Sequence, residues 1–139
     1  MAKVEVRQEA AAAAGWWAAA LEAAGADADA ARVAVFERAL AEGIEALCEE
    51  GTWHPDIPTY GSCGRQVTSS PRPDGALARA ARVAGVSSLL DRLPAAVMWV
   101  NPGEVLVEAT GDHARTQIWP PPAHPSGEVP PAGDGNSSR

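Results

Sequence analysis

Four side chains in this sequence are of the types that hold zinc or attack a carbonyl: Cys48, His54, Cys63 and His113. The first three fall in the pattern Cys-x5-His-x8-Cys. Structural zinc sites instead repeat their ligands at spacings of about two to five residues, because one tight turn then delivers two of them. Asp56 would serve equally well as a substitute ligand, which shows how permissive the set is. Gly61-Ser62-Cys63-Gly64 places a hydroxyl and a thiol between glycines. That arrangement exposes a nucleophile on a tight turn, with His54 or His113 as base and Asp56 as its orienter. No second motif fixes this geometry, and there is no glycine-rich phosphate loop, no histidine pair on a helix and no dinucleotide fingerprint. A thiol- or zinc-dependent small enzyme is therefore the third reading; the sequence implies no metal, no cofactor and no catalysis.

The second kind of chemistry is phosphate contact. Ala81 to Leu93, A-R-V-A-G-V-S-S-L-L-D-R-L, resembles the turn of a helix-turn-helix, where a small residue, a glycine, an apolar residue and a serine join two helices. In that reading Ser87, Ser88 and Arg92 approach bases while Arg79 and Arg82 approach phosphates, which makes a winged-helix-like DNA-binding regulator the alternative function. Against it stand Pro94, which truncates the second helix, and the acidic charge of the chain. The third kind is surface recognition. Trp99, Leu106 and Trp119 are anchor-type residues, and Glu42, Glu45 and Glu49 recur on one side of a helix, where they would attract a basic partner.

These groups have to be carried by folded elements, and 139 residues suffice for one domain. Hydrophobic residues make up 46% of the chain, much of it alanine, so the core is expected to be thin and helix-rich. No apolar run is long enough to span a bilayer and the first residues do not read as a secretory signal, so the expected location is cytoplasmic. The formal net charge of -7 and a pI near 4.8 oppose general nucleic-acid binding. That charge is unevenly spread: residues 1–50 carry -6 and residues 51–94 carry +2.

The alanine-rich stretch 8–24, with Trp16, Trp17 and Leu21, predicts a first helix. Gly25 and the aspartates that follow it end that helix and cap a second over 30–50. There Val33, Phe36, Leu40, Ile44 and Leu47 fall on one stripe, with Arg38, Glu42, Glu45 and Glu49 opposite. The pair forms an antiparallel helical hairpin, and only one of the adjacent tryptophans can face its seam. Residues 51–74, rich in Pro and Gly, read as an ordered irregular loop anchored by Trp53, Ile57, Tyr60 and Val67. Asp74 caps a third helix over 75–84, Gly85 breaks it, and a short fourth segment runs from Ser87 or Ser88 to Pro94.

After Pro94 the period changes to two. Strands 96–101 and 104–110 flank Pro102-Gly103, with Val100 facing Val105, Met98 facing Val107 and Ala96 facing Ala109 on the core side. Gly111-Asp112 returns a third strand, 114–119, that adds Thr116 and Ile118 to that side and opposes Arg115 to Glu108 outside. L-Pro-Gly is not an ideal two-residue hairpin loop, so a bulge is an open alternative. Val97, Trp99 and Leu106 then share the outer face, with Trp119 close by. Either the helices cover that cluster, which is the simpler arrangement, or another protein does. Residues 120–139, rich in Pro, Gly and Ser, read as a disordered tail, and its Pro122-Ala-His-Pro125 is a minimal polyproline pattern.

The expectation is an α+β domain over 1–119: an N-terminal antiparallel helical hairpin, a short helical pair and a C-terminal three-stranded antiparallel β-meander. Its expected role is that of a small acidic, non-catalytic protein-binding module, an adaptor, inhibitor or assembly subunit. It would bind another protein, with homo-oligomers possible and no membrane contact.

Overall fold

A computed structural model describes residues 6–25, 29–50, 53, 55–57, 61–70, 72–109 and 114–121. The hairpin forms from α1 (Arg7–Ala24) and α2 (Ala30–Glu50). Ala10, Ala13, Ala14, Trp17, Ala18 and Leu21 line the buried side of α1 at helical spacing. The small residues let α2 approach closely, and Trp17 fills the seam with no exposed surface while Trp16 stays half-buried. Their rings meet edge to face with centroids 4.9 Å apart. On α2 the buried side is Val33, Phe36, Ala39, Leu40, Ile44 and Cys48. Leu47, expected in the seam, is half-buried, and Cys48 takes the last inward position.

A 3-10 turn (Ser62–Arg65) leads into a short strand, β1 (Gln66–Thr68), and then α3 (Gly75–Ala84). The Asp74 carboxylate joins the last two, accepting the Leu77 N–H at 3.2 Å as a helix cap and the Thr68 N–H at 3.0 Å. Gly85, at φ +75, ends α3 in the left-handed conformation, and the Val86 N–H donates back to the Ala81 carbonyl. Ser87–Arg92 is a single 3-10 helix. It is not the α-helix that the turn-like sequence suggested, because Pro94 leaves too few residues for one.

The sheet is completed by β2 (Ala96–Asn101), β3 (Glu104–Ala109) and β4 (Arg115–Trp119), in the order β1-β2-β3-β4 with every pair antiparallel. The domain is thus α+β, as the sequence implies, with β1 added to the expected meander. The register of β2 on β3 is the expected one, with Val100 opposite Val105 and Met98 opposite Val107. The β3–β4 pairing slips between Val105 and Leu106. Helix α1 packs on β2, β3 and β4 and against α2, which in turn packs on α3. One continuous core results, with Ala96, Met98, Val100 and Val105 fully buried beneath the helices. Of the expected tail, 120–139, residues 122–139 lie outside the described residues.

Candidate functional site

Alternation along β2 and β3 separates the two sides of the sheet. Ala96, Met98, Val100, Val105 and Val107 are buried, while Val97, Trp99, Leu106 and Glu108 between them are half-buried. A sheet covered on both sides would bury both sets, so the helices lie on one face only and leave the other to its own side chains. Two cross-strand rows form this outer face. One is Gln66, Trp99, Leu106 and Gln117; the other is Thr68, Val97, Glu108 and Arg115. Among the described residues the sandwich with helices on both sides is therefore not formed.

Within this face Arg115 ties the rows together. Its guanidinium lies over the Trp99 ring, 4.3 Å from the centroid, and its Nε donates to Glu108 at 3.3 Å. The side chain is 58% exposed, so the ion pair adds little to stability in high dielectric. The ring contact contributes about 0.5–1 kcal/mol at such a site. Its main effect is geometric: it holds the Trp99 indole flat beneath a polar cap.

Trp119 is placed differently from the sequence expectation. The slip in β3–β4 sets it opposite Val105 rather than on the outer face, and with Ile118 it packs against the core. A bulge moves every later side chain of the strand to the other face, and alternation alone does not reveal it.

At the far end of β2 lies a polar cluster that the sequence does not announce. Arg65 is 1% exposed; its Nε donates to the Val100 carbonyl at 2.7 Å and its Nη2 to Asn101 Oδ1 at 2.9 Å. Its guanidinium also sits 5.4 Å from the Trp53 ring centroid. Glu9, buried on α1, accepts the Gly103 N–H at 2.8 Å. Gly103 has φ +77, the conformation a Pro-Gly turn needs at its second position. Such a turn twists against the sheet, and the clamp from Glu9 and Arg65 supplies the tertiary contacts that hold it. No short motif marks Glu9 or Arg65; the nearest signal is an arginine directly preceding an alternating segment.

Cys48 lies fully buried near this cluster. Burial pushes its thiol up to about 12; Arg65 opposes that shift, while Glu9, Glu49 and Glu45 add to it. A thiol held protonated is a poor nucleophile at neutral pH, and the fully buried position suits a small apolar side chain that fills the core. His54 and His113 lie outside the described residues, as does the Cys63 side chain. Among the described residues no group of three or more His, Cys, Asp or Glu could hold a metal ion. Because the thiol pKa is higher folded than unfolded, its contribution to stability is complete below pH 9 and is lost as pH rises toward 12. Stability should fall by about 1.4 kcal/mol per pH unit above 9, a slope that urea denaturation of Cys48→Ala at matched pH should lack.

The residues of the DNA alternative lie on α3 and on the 3-10 helix that follows it. Arg79 points back to α2, where its Nη1 is 3.5 Å from the Ala39 carbonyl. Arg82, Ser87, Ser88 and Arg92 are exposed, but the 3-10 helix carrying the last three is too short to enter a groove as a recognition helix. Of the acidic stripe, Glu42 and Glu49 are exposed and Glu45 is half-buried. Glu42 and Arg79 edge a shallow apolar groove of about 420 Å³ floored by Gly43, Ala46, Leu47, Gly75 and Ala76.

Among the described residues, then, the helices lie on one face of the sheet and Trp99, beneath Arg115, on the other. The BTG family model matches residues 6–119, and the chain belongs to that family, a family of regulatory protein-interaction domains. Among solved structures, the BTG/Tob domain of C. elegans FOG-3, in a doubly substituted form, is similar with a TM-score of 0.70 and 22% identity. The match covers 81% of this chain and 89% of that one, and at this identity it is the fold that the two share. No curated protein matches the chain. No helix among the described residues is long and apolar enough to cross a membrane.

Proposed function

We propose that this BTG-family domain is a non-catalytic module that binds another protein through the outer face of its sheet, with Trp99 and Leu106 as anchors. The observation that carries this reading is the Trp99 indole. It is opposed by Leu106, flanked by Val97 in the next row, and capped by the exposed Arg115. Tryptophan beside branched aliphatics is what the energetic centres of interfaces use. Arg115 and Glu108 form a polar rim that can re-pair with a partner's charges. Trp119 supports the sheet from its inner side, and the glutamates of α2 add an acidic surface in the helical layer that would speed the approach of a basic partner.

The test compares proteins retained from lysate by the tagged full chain with those retained by Trp99→Ala, with nuclease present in both. Trp99 is only half-buried, so the variant should fold, which circular dichroism checks. A stoichiometric partner should lose about 2 kcal/mol of affinity or more. Unchanged retention by a folded variant would remove the reading.

A further inference from the structure

A polar cleft of about 120 Å³ opens where the start of α2 meets the segment between α3 and β2. It is lined by Arg32, Gly85, Val86, Ser88, Leu89 and Arg92. Two of these carry guanidinium groups and one a hydroxyl, and none belongs to the outer sheet face. Arg32 is held from two sides. Asp29, whose carboxylate caps α2 by accepting the Arg32 N–H at 2.8 Å, lies 3.8 Å from its Nε, and the Gly85 carbonyl lies 3.4 Å from its Nη1. A guanidinium has five N–H donors, so others remain for a ligand. Arg92 makes no hydrogen bond or ion pair with a described residue. It reaches across to the end of α1, where its Nη1 lies 3.7 Å from the point a Cβ on Gly25 would occupy. Ser88 is exposed on the same 3-10 helix as Arg92. Among the described residues at the cleft, two arginines stand against one aspartate, a local positive surplus in a chain whose net charge is -7.

We propose that this cleft binds one phosphomonoester group carried by a phosphorylated peptide, with Arg32 and Arg92 donating to its terminal oxygens and Ser88 Oγ donating to a third. A phosphoryl group has three strong acceptor oxygens, and forked guanidinium donors match them in geometry and charge. The small volume admits a single such group. A nucleic acid would bring a chain of phosphates against the overall negative charge. An isolated phosphate on a peptide meets only the local surplus.

Titration of inorganic phosphate into the isotope-labelled full chain, with chloride balancing the ionic strength, should give saturable amide shifts centred on residues 29–33 and 85–92. Arg92→Gln and Arg32→Gln each remove charge-assisted hydrogen bonds and should weaken this binding about tenfold or more. Both side chains are exposed, so the fold should be retained. A degenerate peptide pool centred on phosphoserine should bind more tightly than its unphosphorylated counterpart and more tightly than a uridine decamer at the same salt. Shifts that do not saturate, or an affinity untouched by both substitutions, would overturn the site. Peptide binding indifferent to phosphorylation, or stronger decamer binding, would overturn the ligand.

Discussion

Arg65→Ala should destabilise the domain by about 2–6 kcal/mol, because two buried acceptors lose their charged donor. The guanidinium is 1% exposed and donates to the Val100 carbonyl and Asn101 Oδ1, acceptors at the end of β2. Truncation leaves these acceptors without those bonds, at about 1–3 kcal/mol for each buried group left unsatisfied, and opens a void beside Cys48. Burial lowers the Arg65 pKa below its ordinary value, with Cys48 acting in the opposite sense. The cluster therefore holds a cation at some cost, and the hydrogen bonds are what offset it. Arg65→Met separates the two contributions, because it fills the volume without donating, and should lie between alanine and wild type. Lysine keeps the charge but not the fork. Urea denaturation reads all three, and a methionine variant as stable as wild type would show that packing alone matters there.

The second large effect is expected at Trp17. It has no exposed surface and joins the α1–α2 seam to the sheet layer, so Trp17→Ala should cost about 3–5 kcal/mol through lost burial and the cavity left behind. Its Nε1 has no hydrogen-bond partner among the described residues, so the indole pays for a stranded donor. Trp17→Phe removes that donor and some volume together, and its loss should be well under half that of alanine. The midpoint of thermal unfolding, compared with Trp16→Ala on the half-buried neighbour, provides the check. If Trp16→Ala proves the more damaging substitution, the seam has been assigned to the wrong tryptophan.

Much of this architecture follows from short-range pattern. The Val33, Phe36, Leu40 and Ile44 stripe fixes the inner side of α2, because a 3.6-residue period leaves only one face for it. Asp74 and Gly85 bound α3 by capping chemistry that acts within a few residues. The two-residue alternation on either side of Pro102-Gly103 pairs β2 with β3 residue by residue, down to Arg115 opposite Glu108 on the next strand. For the same reason Trp99 and Leu106 could be placed together on one face.

Contacts between distant residues were not legible. Gln66–Thr68 is too short to show a period, and becomes a strand only because β2 offers it an edge. The slip that turns Trp119 toward the core arises between strands, so the composition of either strand gives no sign of it. Glu9 meets Gly103 across 94 positions and Arg65 meets Asn101 across 36, and neither pairing leaves a local trace.

The sequence by itself determined the helices, the central hairpin register and the grouping of Trp99 with Leu106, because periodicity and capping are decided among neighbours a few residues apart. The tertiary structure alone decided that the helices occupy one side of the sheet, that Arg115 caps Trp99 from β4, and that Arg65 and Glu9 secure the Pro102-Gly103 turn. Each of these depends on which surfaces win the competition to be buried together, and that competition runs over the whole chain.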